Sequence, residues 1–139
     1  KDGQSLMILD HIITFFDIHS TKIKQFGFSI ALEDGKLTCL GDEPYHESCY
    51  QYAYKAKWLL CEAFCLDNQK DIFKPYEKHH STARDAARTA QDMKVEHIVL
   101  WHTEDTDLDH RRERYTAEAA EWFHGGIFVP RDEDIIPLS

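Results

Sequence analysis

The 139-residue chain contains 42% apolar residues and carries a net charge of −9, from 16 basic and 25 acidic side chains. This length and apolar content predict one domain with a sizeable core, and no apolar run approaches the ~20 residues that a membrane span needs. The acidic balance disfavours broad binding to nucleic-acid backbones, because phosphates and acidic surfaces repel each other.

The four cysteines, Cys39, Cys49, Cys61 and Cys65, are expected to be reduced. Residues 1–10 lack the basic and apolar pattern of a secretory signal, and the chain is apolar enough to fold without disulfides. These features predict a cytoplasmic protein.

The first half of the chain has patterns typical of β-strands. Runs rich in branched and aromatic residues predict strands at residues 12–19, 26–33, 36–40 and 58–61. Asp34-Gly35 predicts a tight hairpin turn between the second and third of them. Residues 47–56 are predicted to form a short helix.

The second half alternates between helical and strand-like segments. A loop is predicted at 67–76, a helix from a capping Ser81 to Met93, a strand at 97–101, an acidic loop at 104–109 and a helix at 113–123. Gly125-Gly126 would end that last helix, and residues 127–129 and 135–138 are predicted as closing strands.

This order of elements predicts an α/β layered sandwich in which buried strands are covered by helices. The sequence shows no repeat, no low-complexity tract and no internal linker, so residues 1–139 are treated as one unit.

Four polar residues follow apolar strand runs at the point where each run ends. They are His19, Asp42, Glu62 and His102. Side chains just past strand C-termini converge on one edge of such a sheet, and two imidazoles with a carboxylate suit a divalent cation. Taken singly, each residue is better explained as a surface, capping or turn residue, and only their recurrence at the same place in the fold favours a metal site.

A histidine pair, His79-His80, stands directly before the predicted alanine-rich helix. An imidazole titrates near neutral pH and can transfer a proton, and a neighbouring carboxylate would orient it. On the residues alone, capping of the helix or exposure to solvent is the simpler explanation for both histidines.

Five segments, in order, resemble the C-terminal half of a metallo-β-lactamase-fold hydrolase of the ribonuclease Z-like branch. His19 resembles the third zinc histidine of the family, and Asp42 in LGDEP resembles its bridging aspartate. Glu62 in LLCEAFC resembles the glutamate of a His-Glu-Ala-Thr segment, and His80 in HHSTARDAARTAQ resembles the histidine of a Gly-His-Ser-Thr segment. His102 in IVLWH resembles the last zinc histidine.

The resemblance implies a metal-dependent hydrolase with half of an αββα sandwich, a mixed sheet covered by helices, in residues 1–139 as a single partial domain. His19, Asp42 and His102 would be metal ligands for two Zn²⁺ ions, with Mn²⁺ or iron as alternatives. A metal-bound hydroxide would attack a small phosphodiester or other ester. His80, oriented by Glu62, would be the catalytic proton donor.

The His-x-His-x-Asp-His motif, which supplies most of the first metal ligands in the family, does not occur in this sequence. The resemblance therefore implies a partner: a missing N-terminal half, a second chain or a homodimer. Only residues 20–41 lie between His19 and Asp42, which leaves no room for a tRNA-gripping arm, so tRNA is an unlikely substrate.

Two alternatives to an enzyme follow from the same residues. The chain could be a non-catalytic α/β interaction module that presents Tyr50, Tyr52, Tyr54 and Trp58 to a partner. It could also be an inactive half-fold that pairs with another chain.

Overall fold

The computed structural model describes residues 1–139, and a single seven-stranded sheet runs through the molecule. The strands are β1 (Gln4–Ile8), β2 (His11–Asp17), β3 (Phe26–Leu32), β4 (Gly35–Cys39), β5 (Trp58–Glu62), β6 (His97–Trp101) and β7 (Gly126–Phe128). Their order in the sheet is their order in the chain.

The sheet changes from antiparallel to parallel at β4. Strands β1 to β4 pair antiparallel with their neighbours, whereas β4 to β7 pair parallel. Two antiparallel steps separate β2 from β4, so β2 runs in the same direction as β4, β5, β6 and β7. The C-terminal ends of these five strands therefore meet at one edge of the sheet.

Four α-helices connect the strands, together with three short 3-10 turns. The helices are α1 (Tyr50–Ala53), α2 (Lys70–Phe73), α3 (Ala83–Asp92) and α4 (Leu108–Ala120). None of them combines the length and the apolar character that crossing a membrane requires.

The main core lies between the sheet and the helices α3 and α4. The buried face of α3 consists of Ala83, Ala86, Ala87 and Ala90, each at most 4% exposed. These short side chains let the helix backbone lie close to the apolar side chains of β5 and β6, in a cluster that also contains Leu59, Cys61, Ile98 and Leu100.

The opposite face of the sheet has a smaller apolar cluster. Leu37, Trp58 and Val99 are buried there and contact partly buried side chains that include Phe28 and Leu60. Alternation along β5 explains the division, because neighbouring residues in a strand point to opposite faces.

The predicted α/β class and the mixed sheet are confirmed, as is the hairpin around Asp34-Gly35. β1 was not predicted, because every residue in it is exposed and an exposed edge strand has no core-facing pattern. The predicted helix at 47–56 is instead a 3-10 turn at Glu47–Cys49 followed by the four-residue α1.

Three predictions for the second half of the chain were wrong. The predicted loop at 67–76 contains a 3-10 turn and α2, which ends at the left-handed Lys74. Helix α4 begins at Leu108 rather than 113, because the Asp107 side chain binds His110 and Arg114 across its first turns. Residues 135–138 form no strand.

The four aromatic residues of the predicted interaction surface differ in their exposure. Trp58 is only 3% exposed, and Tyr52 stacks on Phe16 with ring centroids 4.1 Å apart. Tyr50 and Tyr54 stack on each other. Trp58 is therefore removed from the predicted surface by its burial, whereas Tyr50 remains 44% exposed.

Thr82, not Ser81, caps α3. The Thr82 hydroxyl accepts a hydrogen bond from the Asp85 backbone N–H at 3.2 Å, and the Asp85 carboxylate accepts one from the Thr82 backbone N–H at 3.0 Å. This reciprocal pair is a capping box, with an acidic residue three positions after the cap.

Replacing Thr82 with alanine removes this acceptor, and we expect the free energy of unfolding to fall by about 1 kcal/mol. Denaturant unfolding measures the change. Thr82→Ser is the matched control, since it keeps the hydroxyl and should lose less. Equal losses in the two variants would contradict the capping role.

Candidate functional site

The predicted site residues lie at the edge of the sheet where five strands end. His19 follows β2, Asp42 follows β4, Glu62 is the last residue of β5 and His102 follows β6. Because β4, β5 and β6 are adjacent, the last three residues come from neighbouring strands about 5 Å apart. His19 comes from the end of β2, which is separated from β4 by β3.

Glu62, His80 and His102 form one cluster at this edge. Each offers a ligand atom, and these atoms all lie within 4.8 Å of one another. The His80 and His102 rings have centroids 5.1 Å apart, and His80 Nδ1 lies 3.4 Å from Glu62 Oε2. This is the type of donor set, two imidazoles and a carboxylate, that binds zinc and similar cations.

Glu62 is held in place by Ser81. The carboxylate is 1% exposed and accepts hydrogen bonds from the Ser81 backbone N–H at 2.5 Å and from its hydroxyl at 2.6 Å, both at Oε1. Oε2 is buried with no hydrogen-bond partner and faces His80. Burial raises the pKa of Glu62 to about 7, against the lowering effect of the Ser81 hydrogen bonds.

His80 is buried and fixed by aromatic stacking. Its ring lies against Phe64 with centroids 4.9 Å apart and planes 20° apart. Burial lowers the pKa of His80, and His102 and Lys22 lower it further. Burial thus disfavours the charged forms of both Glu62 and His80, and neither Glu62 Oε2 nor His80 Nδ1 has a hydrogen-bond partner.

His19 and His102 have unusual backbone conformations. Both lie in the left-handed region, with φ of 56° and 53°, which costs a non-glycine residue roughly 1–2 kcal/mol. Seven other non-glycine residues lie in the same region, among them Leu9, Lys55 and Glu133, so this conformation does not by itself mark a functional site. The sequence gives no signal for it.

Asp42 lies next to the cluster but outside it. It follows Gly41, whose φ of 71° turns the chain at the end of β4. Its Oδ1 is buried without a hydrogen-bond partner, and its charge acts on both Glu62 and His80. A buried carboxylate oxygen without a partner is costly in the absence of a donor or cation.

The structure thus groups His102 with Glu62 and His80, whereas His19 and Asp42 remain predicted ligands outside that group. The His19 ring contacts His46, with centroids 4.4 Å apart. The unpartnered atoms of Asp42, Glu62 and His80 all lie at this edge, and their chemistry fits a divalent cation.

A pocket of about 460 Å³ opens beside the cluster, between the loops after β2 and β4 and the start of α3. His19, Glu62 and His80 line it, and so do two residues that sequence analysis missed, Glu43 and His46. Both follow Asp42 within four positions, but a polar loop gives no indication of which side chains will face a pocket.

No family model matches the chain, and no curated protein matches it. Solved structures do match. The metallo-β-lactamase fold protein YhfI from Bacillus subtilis has a TM-score of 0.77 at 18% identity, over 94% of this chain and 51% of that one. Human tRNase Z, short form (ELAC1), has a TM-score of 0.69 at 23% identity, over 97% and 46%.

A diphosphatase from the PhnP family has a TM-score of 0.65 at 13% identity, over 95% of this chain and 45% of that one. The chain therefore spans about half the length of these solved structures. At these identities the likeness concerns the fold. The predicted resemblance is confirmed at that level: the chain adopts about half of a metallo-β-lactamase fold, like ribonuclease Z-type proteins.

Replacing Glu62 with alanine leaves the buried Ser81 N–H and hydroxyl without their acceptor. We expect the free energy of unfolding to fall by about 1–3 kcal/mol, and the Ser81 amide to lose protection from hydrogen exchange. Glu62→Gln keeps an acceptor oxygen and nearly the same volume, so it should lose less. Unchanged protection of the Ser81 amide in Glu62→Ala would contradict this arrangement.

Proposed function

We propose that this chain, which has about half of a metallo-β-lactamase fold, contributes one side of a metal-dependent hydrolase site. The observation that carries the proposal is the cluster of Glu62, His80 and His102, whose ligand atoms lie within 4.8 Å of one another. The metallo-β-lactamase-fold proteins that match include a tRNase and a diphosphatase, which supports a hydrolase.

His102 would hold the metal together with Asp42 and His19. The unpartnered, buried Oδ1 of Asp42 supports its assignment, because a cation would compensate it. We propose Zn²⁺, as two ions in the complete site, with Mn²⁺ or iron as alternatives. The remaining ligands would come from another segment or a second chain, since the matched structures are about twice as long.

A bound cation of this kind lowers the pKa of water from ~16 towards ~7 and stabilises negative charge that develops on the attacked group. The residues of this chain would supply the other parts of the reaction. They orient the substrate at the edge of the sheet and deliver a proton to the leaving group.

His80 is the proposed proton donor. Phe64 fixes the plane of its ring, and Glu62 Oε2 lies 3.4 Å from Nδ1, which leaves Nε2 for the substrate. An imidazole in this position can transfer a proton to a leaving-group oxygen, because its pKa lies close enough to neutral pH for both the protonated and the neutral forms to be accessible.

The proposed substrate is a small phosphodiester or other ester rather than tRNA. Residues 20–41, between His19 and Asp42, are largely used by β3 and β4, so no long arm protrudes there. The net charge of −9 also disfavours a long polyanion.

Metal content tests the proposed ligands. In the protein that contains these residues, we expect zinc near stoichiometric amounts by elemental analysis, and affinity reduced at least about tenfold in His102→Ala and Asp42→Asn. His79→Ala, which removes the exposed neighbour of His80, is the control and should keep its zinc. Unchanged zinc affinity in both ligand variants would rule out this site.

A comparison of hydrolysis rates for substrates with good and poor leaving groups tests the role of His80. General acids contribute roughly 10²- to 10⁴-fold, and they matter most when the leaving group is a poor one. We expect His80→Ala to slow hydrolysis of diphenyl phosphate much more than that of bis(p-nitrophenyl) phosphate, with zinc content intact. Loss of zinc in His80→Ala would instead identify His80 as a ligand, as its place in the cluster also allows.

A further inference from the structure

Arg111 is a partly buried arginine at the edge of the sheet where the site lies, and the proposed reaction does not use it. It stands near the start of α4 and donates hydrogen bonds to the Thr103 hydroxyl at 3.0 Å and to the Pro130 carbonyl. Thr103 directly follows His102 after β6, and Pro130 lies two residues beyond the end of β7. The Arg111 side chain therefore joins the two loops that leave neighbouring parallel strands.

The partners of Arg111 are neutral. Three other arginines, Arg84, Arg112 and Arg114, form ion pairs with aspartates, whereas Arg111 forms none. Its Nε is buried and has no hydrogen-bond partner. A guanidinium presents its donors in one rigid plane, so these contacts hold two loops at a fixed distance without pairing the charge.

The bond from Arg111 is the one hydrogen bond that His102 and Thr103 make to the rest of the protein. The backbone hydrogen bonds on either side belong to Trp101 and Glu104, which bind the segment that follows β5. The two residues between them are held by no backbone hydrogen bond. The position of this pair therefore depends on the Thr103 side chain.

His102 needs such support, because it is exposed and its backbone is left-handed. A φ of 53° is unfavourable for a residue with a side chain, so contacts with the surrounding structure must maintain it. Its ring lies against that of His80, with centroids 5.1 Å apart. A change to a commoner φ would turn the imidazole in another direction and take it out of the cluster.

We infer that Arg111 is a positioning residue of the proposed site: its bond to Thr103 keeps His102 in the conformation that brings the imidazole to Glu62 and His80. The inference rests on the proposed function for the role of His102 as a metal ligand. Arg111 acts through this contact and needs none with metal or substrate. Loss of a group that orients a metal ligand typically weakens metal binding roughly 10- to 100-fold.

The position of His102 can be measured in the metal-free protein. The His80 and His102 rings are close enough for a nuclear Overhauser effect between their protons. We expect this effect in the wild-type protein and in Thr103→Ser, which keeps the hydroxyl. It should be lost in Thr103→Val, which has nearly the same shape without the hydroxyl, and in Arg111→Met, which keeps an unbranched side chain without the donors.

Arg114→Met is the matched control for Arg111→Met. Arg114 lies on the same helix, binds Asp107 at 2.9 Å and makes no hydrogen bond to Thr103. Its replacement disturbs the start of α4 and leaves the bond between Arg111 and Thr103 in place, so the effect between the two rings should persist. A thermal unfolding curve for each variant verifies that it is folded.

Titration with Co²⁺, followed by absorbance, measures the consequence for metal binding. We expect Thr103→Val to bind Co²⁺ about tenfold more weakly than the wild-type protein, and Thr103→Ser to bind it as the wild-type protein does.

The inference would be overturned by absence of the ring-to-ring effect in the wild-type protein, by its persistence in Thr103→Val or by its loss in Arg114→Met. Equal and measurable Co²⁺ affinities of the wild-type protein and Thr103→Val would overturn it as well. A wild-type protein that binds no Co²⁺ would reject the proposed function, and the ring-to-ring effect would still decide whether Arg111 positions His102.

Discussion

The hydrogen bonds from Ser81 to the buried Glu62 carboxylate hold the start of α3 against the end of β5. Backbone contacts extend this attachment, since the Phe64 N–H donates to the Ser81 carbonyl and the Ala83 N–H donates to the Cys65 carbonyl, each at 2.9 Å. The segment that leads into the helix is thus fastened to the segment that leaves the strand. His80, one residue before Ser81, has its position fixed as a result.

This attachment acts together with the direction of the strands. Antiparallel pairing from β2 to β4 and parallel pairing from β4 onwards bring polar residues from distant parts of the sequence to one edge. His102 arrives there from β6 and meets His80 from the helix side. The chemistry of the site therefore depends on the topology of the sheet and on one buried carboxylate, which together assemble side chains that no local motif contains.

Apolar runs were enough to predict the central strands, because residues such as Leu59 and Ile98 are buried on the helix-covered face, whereas the mixed character of the sheet followed only from the family resemblance. The apolar runs could not predict β1, whose residues face solvent on both sides. The capping residue of α3 was predictable in principle, since Thr82 and Asp85 have capping-box spacing. The Ser81 hydroxyl instead donates a hydrogen bond to Glu62, and that contact could not be predicted without the position of the end of β5. The burial of Glu43 and the left-handed backbone at His19 and His102 arise only from tertiary packing.

The buried alanine face of α3 links the packing of this helix to the position of His80. Ala83 and Ala87 are fully buried, so the helix is already packed tightly against the sheet. A bulkier residue at either position must therefore push the helix axis away from the sheet. That displacement would be transmitted to the imidazole at its leading end. A substitution on the buried face of α3, which contacts none of the three clustered side chains, can therefore alter the geometry of the cluster through the position of His80.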